Sequence, residues 1–305
     1  MTAPLKLGIV GFGKIARDEH VPAIARTEGL HLAAVASHHG AADGVPNYHS
    51  LTDMLAAHPE LDAIVMCQPP AARFAAAKEA LAAGKHVFLE KPPGTTVSEL
   101  CLLRDLAEES GVTLFASWHS RHAPSVPPLK RWCAGRKLRR VTIEWREDVR
   151  LWHPGQDWIW QPGGFGVMDP GINALSILTE VVPEPIRLVA ARLEVPANRA
   201  TPIGAELTME TASGTPVSAV FDWRQTGPQT WRILFEAEDR RFDFVQGQSP
   251  DPEGETAISS EYSALYLRFA ELIRSGRSEI DLAPLQLVAD AFLAGRIDIV
   301  RPFDQ

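Results

Sequence analysis

Short apolar runs and helical patterns alternate through the first third of the chain. The apolar runs are typical of buried strands and lie at residues 5–10, 31–37, 61–67, 85–89 and 112–116. The helical patterns follow them at residues 15–26, 51–57, 71–83 and 96–109. This strict alternation predicts a Rossmann domain, a doubly wound parallel sheet, over residues 1–121.

Beyond residue 121, polar and apolar residues alternate along most of the chain. This pattern predicts half-buried strands at residues 138–147, 186–195, 205–211, 217–223, 231–237 and 242–245. Helical patterns lie at residues 124–134, 171–182, 262–275 and 284–299. Most of these strands follow one another without a helix between them. The second domain, residues 122–305, is therefore predicted to be α+β with an open, largely antiparallel sheet. Its final helix is expected to pack back on the first domain.

A glycine-rich turn follows the first predicted strand. Gly11, Gly13 and Ala16 form the pattern G-x-G-x-x-A where the strand gives way to a helix. Gly11 permits the tight turn, Gly13 lets the backbone approach a pyrophosphate, and Ala16 lets the helix pack on the sheet. The pattern predicts a dinucleotide site that also includes Lys14 and Ile15. The alternative is a glycine-rich turn that only joins two packed elements.

The end of the second predicted strand bears on the choice of cofactor. An acidic residue there binds the adenosine ribose 2′-hydroxyl and repels a 2′-phosphate. Here the strand ends in Ser37 and His38, and the next carboxylate is Asp43. The sequence therefore favours NADP held by Ser37 and His38, with NAD also accepted. The alternative is that these are ordinary solvated loop residues.

Further polar groups follow the later strands and are expected at the same edge of the sheet. The residues assigned there to the cofactor are Gln68, Pro69, Pro70, Glu90, Lys91 and Trp118. Beside a nicotinamide, Lys91 is a cation in a partly desolvated cleft that orients a substrate hydroxyl or exchanges its proton. Without that context, a lysine after a buried strand is an ordinary surface residue.

Composition and charge exclude several classes of partner. A chain of 305 residues is long enough for two domains. The formal net charge of −8 argues against nucleic acid or an anionic membrane as partner. Its apolar runs are too short to span a bilayer. The three cysteines are widely spaced, which indicates a reduced, cytoplasmic protein and no metal site.

The order and spacing of these motifs resemble a known family. G-x-G-x-x-A at Gly11, Pro69-Pro70 and Glu90-Lys91-Pro92 are similar to the glucose–fructose oxidoreductase and inositol dehydrogenase (Gfo/Idh/MocA) family. The resemblance extends over essentially the whole chain. It implies the two-domain fold, a nicotinamide cofactor and a second sheet that is also used for homo-oligomer contacts, as a dimer or tetramer.

Within that family, four stretches are most similar to bacterial enzymes that oxidise carbon 1 of galactose or arabinose. They are Trp118-His119-Ser120, Trp152-His153-Pro154-Gly155, Trp158-Ile159-Trp160 and Asp169-Pro170-Gly171-Ile172-Asn173. The resemblance implies oxidation of an aldopyranose, D-galactose, L-arabinose or D-fucose, to its lactone. The alternatives are a dehydrogenase of another cyclic polyol or a dihydrodiol, and a non-catalytic NADP-sensing protein.

Asp169 and Asn173 are the remaining catalytic candidates, together with Lys91. On the residues alone, Asp169 also fits a helix N-cap followed by Pro170 at the first helical position. The resemblance instead implies a catalytic group here, although the family pattern has His where this chain has Asn173. Because an amide is not a base at neutral pH, the proton acceptor is Asp169 or Lys91, and Asn173 orients the hydroxyl.

The loop at residues 149–166 carries Trp152, Trp158 and Trp160 among glycines and prolines. Indole rings stack on the C–H faces of sugars, while carboxylates and imidazoles bind the hydroxyls. Glu147, Trp152, His153, His119 and Trp231 are therefore assigned to the sugar pocket. For Trp158 and Trp160, the alternative is that they anchor the loop to the core.

Overall fold

The computed structural model describes residues 3–246 and 257–304. The strands are β1 (Leu5–Val10), β2 (Leu30–Ala36), β3 (Asn47–Tyr48), β4 (Ala63–Met66), β5 (His86–Leu89), β6 (Leu114–Ala116), β7 (Leu138–Arg146), β8 (Ile186–Pro196), β9 (Gly204–Thr211), β10 (Pro216–Asp222), β11 (Thr230–Ala237), β12 (Arg241–Val245) and β13 (Arg296–Val300). The α-helices are α1 (Val21–Arg26), α2 (Leu51–Ala57), α3 (Pro70–Ala82), α4 (Val97–Glu109), α5 (Val126–Cys133), α6 (Val149–Trp152), α7 (Met168–Val181), α8 (Ala257–Ser275) and α9 (Ala283–Ala294).

The first sheet has six parallel strands in the order β3-β2-β1-β4-β5-β6. The strand order reverses beside β1, so the carboxyl ends of β1 and β4 border the crevice where Rossmann folds bind dinucleotides. The predicted doubly wound sheet is confirmed.

Two segments of this unit differ from regular predicted elements. Residues 47 and 48, which lie in no predicted element, form β3 and pair with β2, and Ser37 N donates to Tyr48 O at 2.8 Å. The helix predicted over residues 15–26 is divided into a π-helix (Ala16–His20) and α1. Pro22 has no N–H to donate and lies at the start of α1, so the regular helix begins again there.

Aromatic side chains from β5, β6 and α8 share one core. Phe88 stacks on Tyr266 with ring centroids 5.2 Å apart, and Phe115 stacks on Phe269 at 5.9 Å. All four side chains are at most 1% exposed. Truncating one such buried ring typically lowers the stability of a fold by about 3–5 kcal/mol. Because α8 supplies two of these rings, it is part of the core rather than a surface addition.

The second sheet has seven strands in the order β12-β11-β7-β10-β9-β8-β13. Four of its neighbouring pairs are antiparallel, whereas β10–β7 and β13–β8 are parallel. The predicted largely antiparallel sheet is confirmed. Helix α7 packs very closely on it, since a Cβ on Gly171 would lie 2.9 Å from the ring of Phe221.

The helix predicted over residues 284–299 is wrong at its end. Helix α9 stops at Ala294, and β13 pairs in parallel with β8. In the alternating Arg296-Ile297-Asp298-Ile299-Val300 sequence, β-branched residues favour a strand. Gly295 backs closely on Ala191 and Leu193, where a larger residue would not fit.

The described residues form two compact units. One comprises Met1–His122 with Ile258–Asp281, and the other Ala123–Ala257 with Leu282–Gln305. The sequence-based boundary at residues 121 and 122 lies beside this division. Helix α8 belongs to the first unit because its aromatic residues complete that core, and α9 belongs to the second, where it packs on α7 and β8. The limits of separately folding domains stay a prediction.

No helix within the described ranges combines the length and apolar character needed to cross a membrane.

Candidate active site

The glycine turn after β1 has the geometry of a dinucleotide cradle. Gly11 has φ +86°, and a Cβ there would lie 2.8 Å from Gln68 N. At Gly13 an added Cβ would meet nothing within 4 Å, so the turn is open where Gly13 lies. Lys14 and Ile15 lead from this turn into the helix, whose first N–H groups would be available to the phosphates of a dinucleotide. The residues present fit a dinucleotide.

Ser37 joins this turn to the end of β2. Its buried Oγ accepts from Phe12 N and from His39 N, both at 3.2 Å. His38 is exposed, and its ring centroid lies 5.7 Å from that of His49, which follows β3. Ser37 therefore shapes the turn, and the two exposed imidazoles supply the polar groups beyond it.

The turn after β4 lies directly against the glycine turn. Gln68 approaches Gly11, while Pro69 precedes α3 and Pro70 opens it. Arg73, in the first turns of α3, is only 2% exposed, and its guanidinium donates to the carbonyl of Gln68. This buried arginine is not indicated by the helical pattern of its segment.

Glu90, at the end of β5, is buried among polar side chains. Tyr262 donates to its Oε1, and His20 Nε2 lies 3.6 Å from the same oxygen. Burial alone would raise the pKa of Glu90, but the hydrogen bond and electrostatic contact with His20, together with the nearby His119 and Lys91, lower it to about 2. Glu90 is therefore a carboxylate at neutral pH.

Lys91 follows Glu90 and is half-buried, and the peptide bond between Lys91 and Pro92 is cis. The acceptor Glu90 keeps its partner Tyr262 protonated, because burial and the nearby carboxylate raise the pKa of that phenol well above its ordinary range. The carboxylate next to Lys91, that of Glu90, therefore already accepts a hydrogen bond from Tyr262.

Trp118, predicted at this edge, and His119, assigned from the sequence to the sugar pocket, are held by the segment around α8. Trp118 Nε1 donates to Asp281 O at 3.1 Å. His119 Nδ1 lies 2.7 Å from Glu261 Oε2, and its ring stacks on Tyr262 at 5.4 Å. His119 is only 6% exposed, so the structure places it in the polar network around Glu90.

In the second unit, the predicted catalytic residues lie in the first turns of α7. The helix starts at Met168 after Val167, so Asp169 is inside the first turn and the N-cap interpretation is wrong. Asp169 Oδ2 lies 3.5 Å from His153 Nε2, and His153 Nδ1 lies 3.2 Å from Gln156 Oε1. Asn173 is one turn further along the same helix face. The structure thus brings three of the predicted residues together.

The predicted sugar-pocket residues of the second unit form a cluster of indoles around Glu147. Glu147 is 3% exposed, and it accepts from Trp223 Nε1 and Trp231 Nε1, both at 3.0 Å. Trp152 lies 5.1 Å from Trp231, and its Nε1 donates to Gln229 at 3.1 Å. Glu147 therefore fixes two indole rings with both of its oxygens.

The other tryptophans of the loop at residues 149–166 have different surroundings. Trp160 is 2% exposed and packs edge-on against Trp223 at 5.3 Å. Trp158 is half-buried, and its Nε1 donates to Gln156 Oε1 at 3.2 Å. Trp160 is therefore an anchor of the loop, while Trp158 helps hold the residue next to His153.

Several site residues were missed by the sequence analysis: His20, Arg73, Trp223, Gln229, Glu261 and Tyr262. Trp223 ends a predicted strand, so strand position was an available signal for it. The others lie far away in the sequence or on helix faces with no pattern that marks a functional residue. In the described residues, no group of His, Cys, Asp and Glu is arranged to hold a metal ion.

The chain belongs to the Gfo/Idh/MocA oxidoreductase family, whose profile, described as an NAD-binding Rossmann fold, matches residues 5–117. It is 42% identical over 308 residues to galactose 1-dehydrogenase of Pseudomonas fluorescens, a match that covers 99% of each chain. The family predicted from the motifs is confirmed.

Solved structures agree with this assignment. D-galactose-1-dehydrogenase from Rhizobium etli is 48% identical, with a TM-score of 0.92, and the match covers 100% of this chain and 99% of the other. GenD2 from gentamicin A biosynthesis, in complex with NAD, has a TM-score of 0.84 at 18% identity, covering 96% of this chain and 95% of that one. The second likeness shows the fold alone.

Proposed function

We propose that this chain oxidises carbon 1 of D-galactose in its pyranose form to the lactone, with NADP as the favoured cofactor. The observation that carries the proposal is the match over 99% of both chains to a galactose 1-dehydrogenase. The arrangement of His153, Asp169 and the indole cluster supports a substrate with both hydroxyls and apolar C–H faces. L-Arabinose and D-fucose are further substrates, because they present the same ring hydroxyl pattern.

The reaction removes two hydrogens from the sugar. The C1 hydrogen leaves as hydride, the C1 hydroxyl loses its proton, and the C–O bond becomes the carbonyl of the lactone. When bound, NADP supplies the hydride acceptor. Asp169 accepts the hydroxyl proton, and the imidazole of His153, whose Nε2 lies 3.5 Å from Asp169 Oδ2, is placed to take that proton on. Lys91 is the electrostatic partner that orients the hydroxyl, and Asn173 holds the anomeric or ring oxygen.

The remaining assignments concern binding. Trp152 and Trp231 stack on the sugar, His153 binds a hydroxyl, and Glu147 acts on the substrate chiefly through the indoles it holds. His119 contributes from the network around Glu90. The cofactor residues are Gly11, Gly13, Lys14, Ile15, Ser37, His38, Gln68, Pro69, Pro70, Glu90, Lys91 and Trp118.

NADP is favoured over NAD because the end of β2 bears imidazoles where a discriminating carboxylate would lie. His38 and His49 are exposed, with ring centroids 5.7 Å apart, and both can donate to a 2′-phosphate. NAD, which lacks that phosphate, meets no repelling group there and is also accepted.

The test is a spectrophotometric panel of D-galactose, L-arabinose, D-fucose, D-glucose and myo-inositol with each cofactor separately. Reduced cofactor should form fastest with galactose and NADP, and mass spectrometry should find the galactonolactone or its hydrolysis product. Activity on myo-inositol alone would establish the cyclic-polyol alternative. Cofactor binding without turnover of any substrate would support a sensing protein.

The enzyme is further inferred to be a cytoplasmic homo-oligomer. Its cysteines, Cys67, Cys101 and Cys133, are all free, as is usual in a reducing compartment. The face of the second sheet that carries alternate exposed residues of β9 and β10 is a surface for a second copy. Light scattering should give a dimer or tetramer.

A further inference from the structure

Arg73 is a buried cation in an otherwise alanine-rich helix. It lies in the first turns of α3, and its side chain is 2% exposed. Burying a guanidinium is costly unless its N–H groups find acceptors. Three main-chain carbonyls accept from this arginine, so its burial constrains the backbone that carries them.

The three carbonyls belong to two turns at the edge where the cofactor residues lie. Nη1 donates to Glu90 O and to Pro92 O, the residues immediately before and after Lys91. Nη2 donates to Gln68 O, in the turn after β4. One guanidinium therefore bonds the backbone on both sides of Lys91 and ties it to the neighbouring turn.

We propose that Arg73 is a positioning residue for Lys91. Because the carbonyls of Glu90 and Pro92 are both held by one rigid, planar group, the Lys91 backbone between them keeps a single position, and its side chain starts from a defined point. The inference rests on the proposed function only in giving Lys91 a role in the reaction.

The chemistry of arginine explains why this residue performs the task. A guanidinium presents several N–H donors in a fixed plane, whereas the ammonium of lysine is a compact point charge on a flexible chain. A lysine at position 73 is therefore expected to satisfy fewer of the three carbonyls. Catalytic groups must be held to within roughly 0.5 Å, so partial loss of the clamp should be visible in turnover.

The test is a double-mutant cycle on the full-length enzyme with Arg73→Ala and Lys91→Ala. A misplacement of about 1 Å can cost around 100-fold in rate, so Arg73→Ala should lower kcat by roughly 10- to 100-fold. In the Lys91→Ala background the same change should lower kcat by less than about threefold, because residues that act as one unit are strongly non-additive. A merely structural arginine would lower kcat by the same factor in both backgrounds.

Rescue and control variants sharpen the test. Guanidinium chloride at low millimolar concentration should restore part of the kcat of Arg73→Ala and none of that of Lys91→Ala. Arg73→Lys, which keeps the charge, should fold and still lose turnover, so it serves if the alanine variant does not fold. Lys78→Ala, an exposed cation on the same helix, should match the wild type.

Failure of the role proposed for Arg73 and failure of the proposed function give different results. If the wild type turns over galactose and the cycle is additive, or if Arg73→Lys retains full kcat, the role of Arg73 is overturned and the proposed function stands. If the wild type oxidises none of the sugars, both are overturned.

Discussion

Asp169 and Glu147 are both buried carboxylates of the second unit, but their partners differ. Each carboxylate oxygen of Glu147 accepts from an indole N–H, whereas Asp169 Oδ2 lies 3.5 Å from the imidazole Nε2 of His153. A carboxylate beside an imidazole can pass a proton on, whereas Glu147 accepts from two indoles and holds them in place. This difference supports the proposed roles of Asp169 in proton transfer and of Glu147 in the shape of the pocket.

Replacing Asp169 with Asn removes the proposed base while keeping the size of the side chain. Loss of a positioned general base costs roughly 10²–10⁴ in rate, so kcat for galactose should fall by that factor. Initial rates of cofactor reduction measure it, with circular dichroism as the check on folding. The matched control is Asp157→Asn, an exposed acid of the same region. A variant with near-normal kcat and an intact fold would move the base elsewhere, Lys91 being the next candidate.

His38→Asp tests the cofactor assignment. A carboxylate at this position bonds the ribose 2′-hydroxyl of NAD and repels the 2′-phosphate of NADP. Losing a hydrogen bond to a charged group costs about 1.5–3 kcal/mol, so kcat/KM for NADP should fall by roughly 10- to 100-fold. The kcat/KM for NAD should stay the same or rise.

The control for this change is His31→Asp, at the opposite end of β2. It introduces the same charge away from the cofactor edge and should leave the NADP-to-NAD ratio unchanged. An unaltered NADP-to-NAD ratio in His38→Asp would mean that another residue binds the 2′-phosphate.

At the scale of elements, β5 and α8 are joined by the polar network around Glu90. Tyr262 from α8 donates to Glu90, and His119, after β6, pairs with Glu261 of α8. These bonds connect segments far apart in sequence and add to the aromatic core that places α8 in the first unit. The charged Glu90 is part of that attachment.

The lowered pKa of Glu90 predicts acid sensitivity. Its pKa is about 2 in the folded chain and lies near 4.5 when unperturbed. The stabilisation is therefore complete above about pH 4.5, and it is lost as the pH falls from there toward 2. The pKa difference corresponds to on the order of 3 kcal/mol.

Glu90→Gln should remove this contribution. Its urea midpoint should be lower than that of the wild type at pH 7, and the gap should narrow at pH 3. Glu28→Gln, an exposed control, should follow the wild type at both values. A gap that stays constant with pH would show that the charge of Glu90 does not stabilise the fold.

Three neighbouring strands of the second sheet meet at Glu147. The residue follows β7, while Trp223 follows β10 and Trp231 lies on β11. Since β7 lies between β10 and β11, its last side chain can reach an indole on either side. The sheet thereby sets the spacing of the aromatic surface.

Glu147→Gln should therefore weaken sugar binding more than catalysis. A glutamine has one carbonyl oxygen, so one buried indole N–H then faces an amide NH₂ group. An unsatisfied buried donor costs about 1–3 kcal/mol, which corresponds to a roughly 10-fold rise in the KM for galactose with a smaller change in kcat. Glu144→Gln on the same strand is the control. Equal falls in kcat and kcat/KM would instead indicate direct participation of Glu147 in the reaction.

At the scale of the whole molecule, each unit has its own sheet and its own set of candidate residues. The first contains the glycine turn, Lys91 and the clamp made by Arg73. The second contains Asp169, His153 and the indole cluster. Family membership and full-length similarity to two galactose dehydrogenases show that the chain, with both units, is an NAD(P)-dependent sugar dehydrogenase.

Cofactor binding should stabilise the molecule measurably. A ligand at 100 times its Kd that binds only the folded chain adds about 2.7 kcal/mol. For a unit of this size, that corresponds to a Tm rise of roughly 5–10 °C in a thermal scan with NADP. NAD at the same concentration should give a smaller rise, and ATP, which lacks the nicotinamide half, less again. Equal shifts with NADP and NAD would contradict the cofactor preference.

The sequence by itself determined the parallel sheet, the glycine turn and the family. Each depends on residues close together in the chain: period-2 and period-3.6 patterns, and a turn in which Gly11 must adopt a positive φ. Prediction from the sequence missed β3 and β13, because each becomes a strand by pairing with another segment of the chain. Both are short segments that become strands only because β2 and β8 offer an edge.

Only the tertiary structure decided how the polar residues are connected. Glu147, assigned from the sequence to the sugar pocket, accepts from Trp223 and Trp231, and Arg73, which no local pattern marks, donates to three main-chain carbonyls. The N-cap interpretation of Asp169 failed because α7 begins before it. In each case the outcome depends on which groups share a buried volume, where every donor and acceptor needs a partner, and no local pattern in the chain encodes that choice.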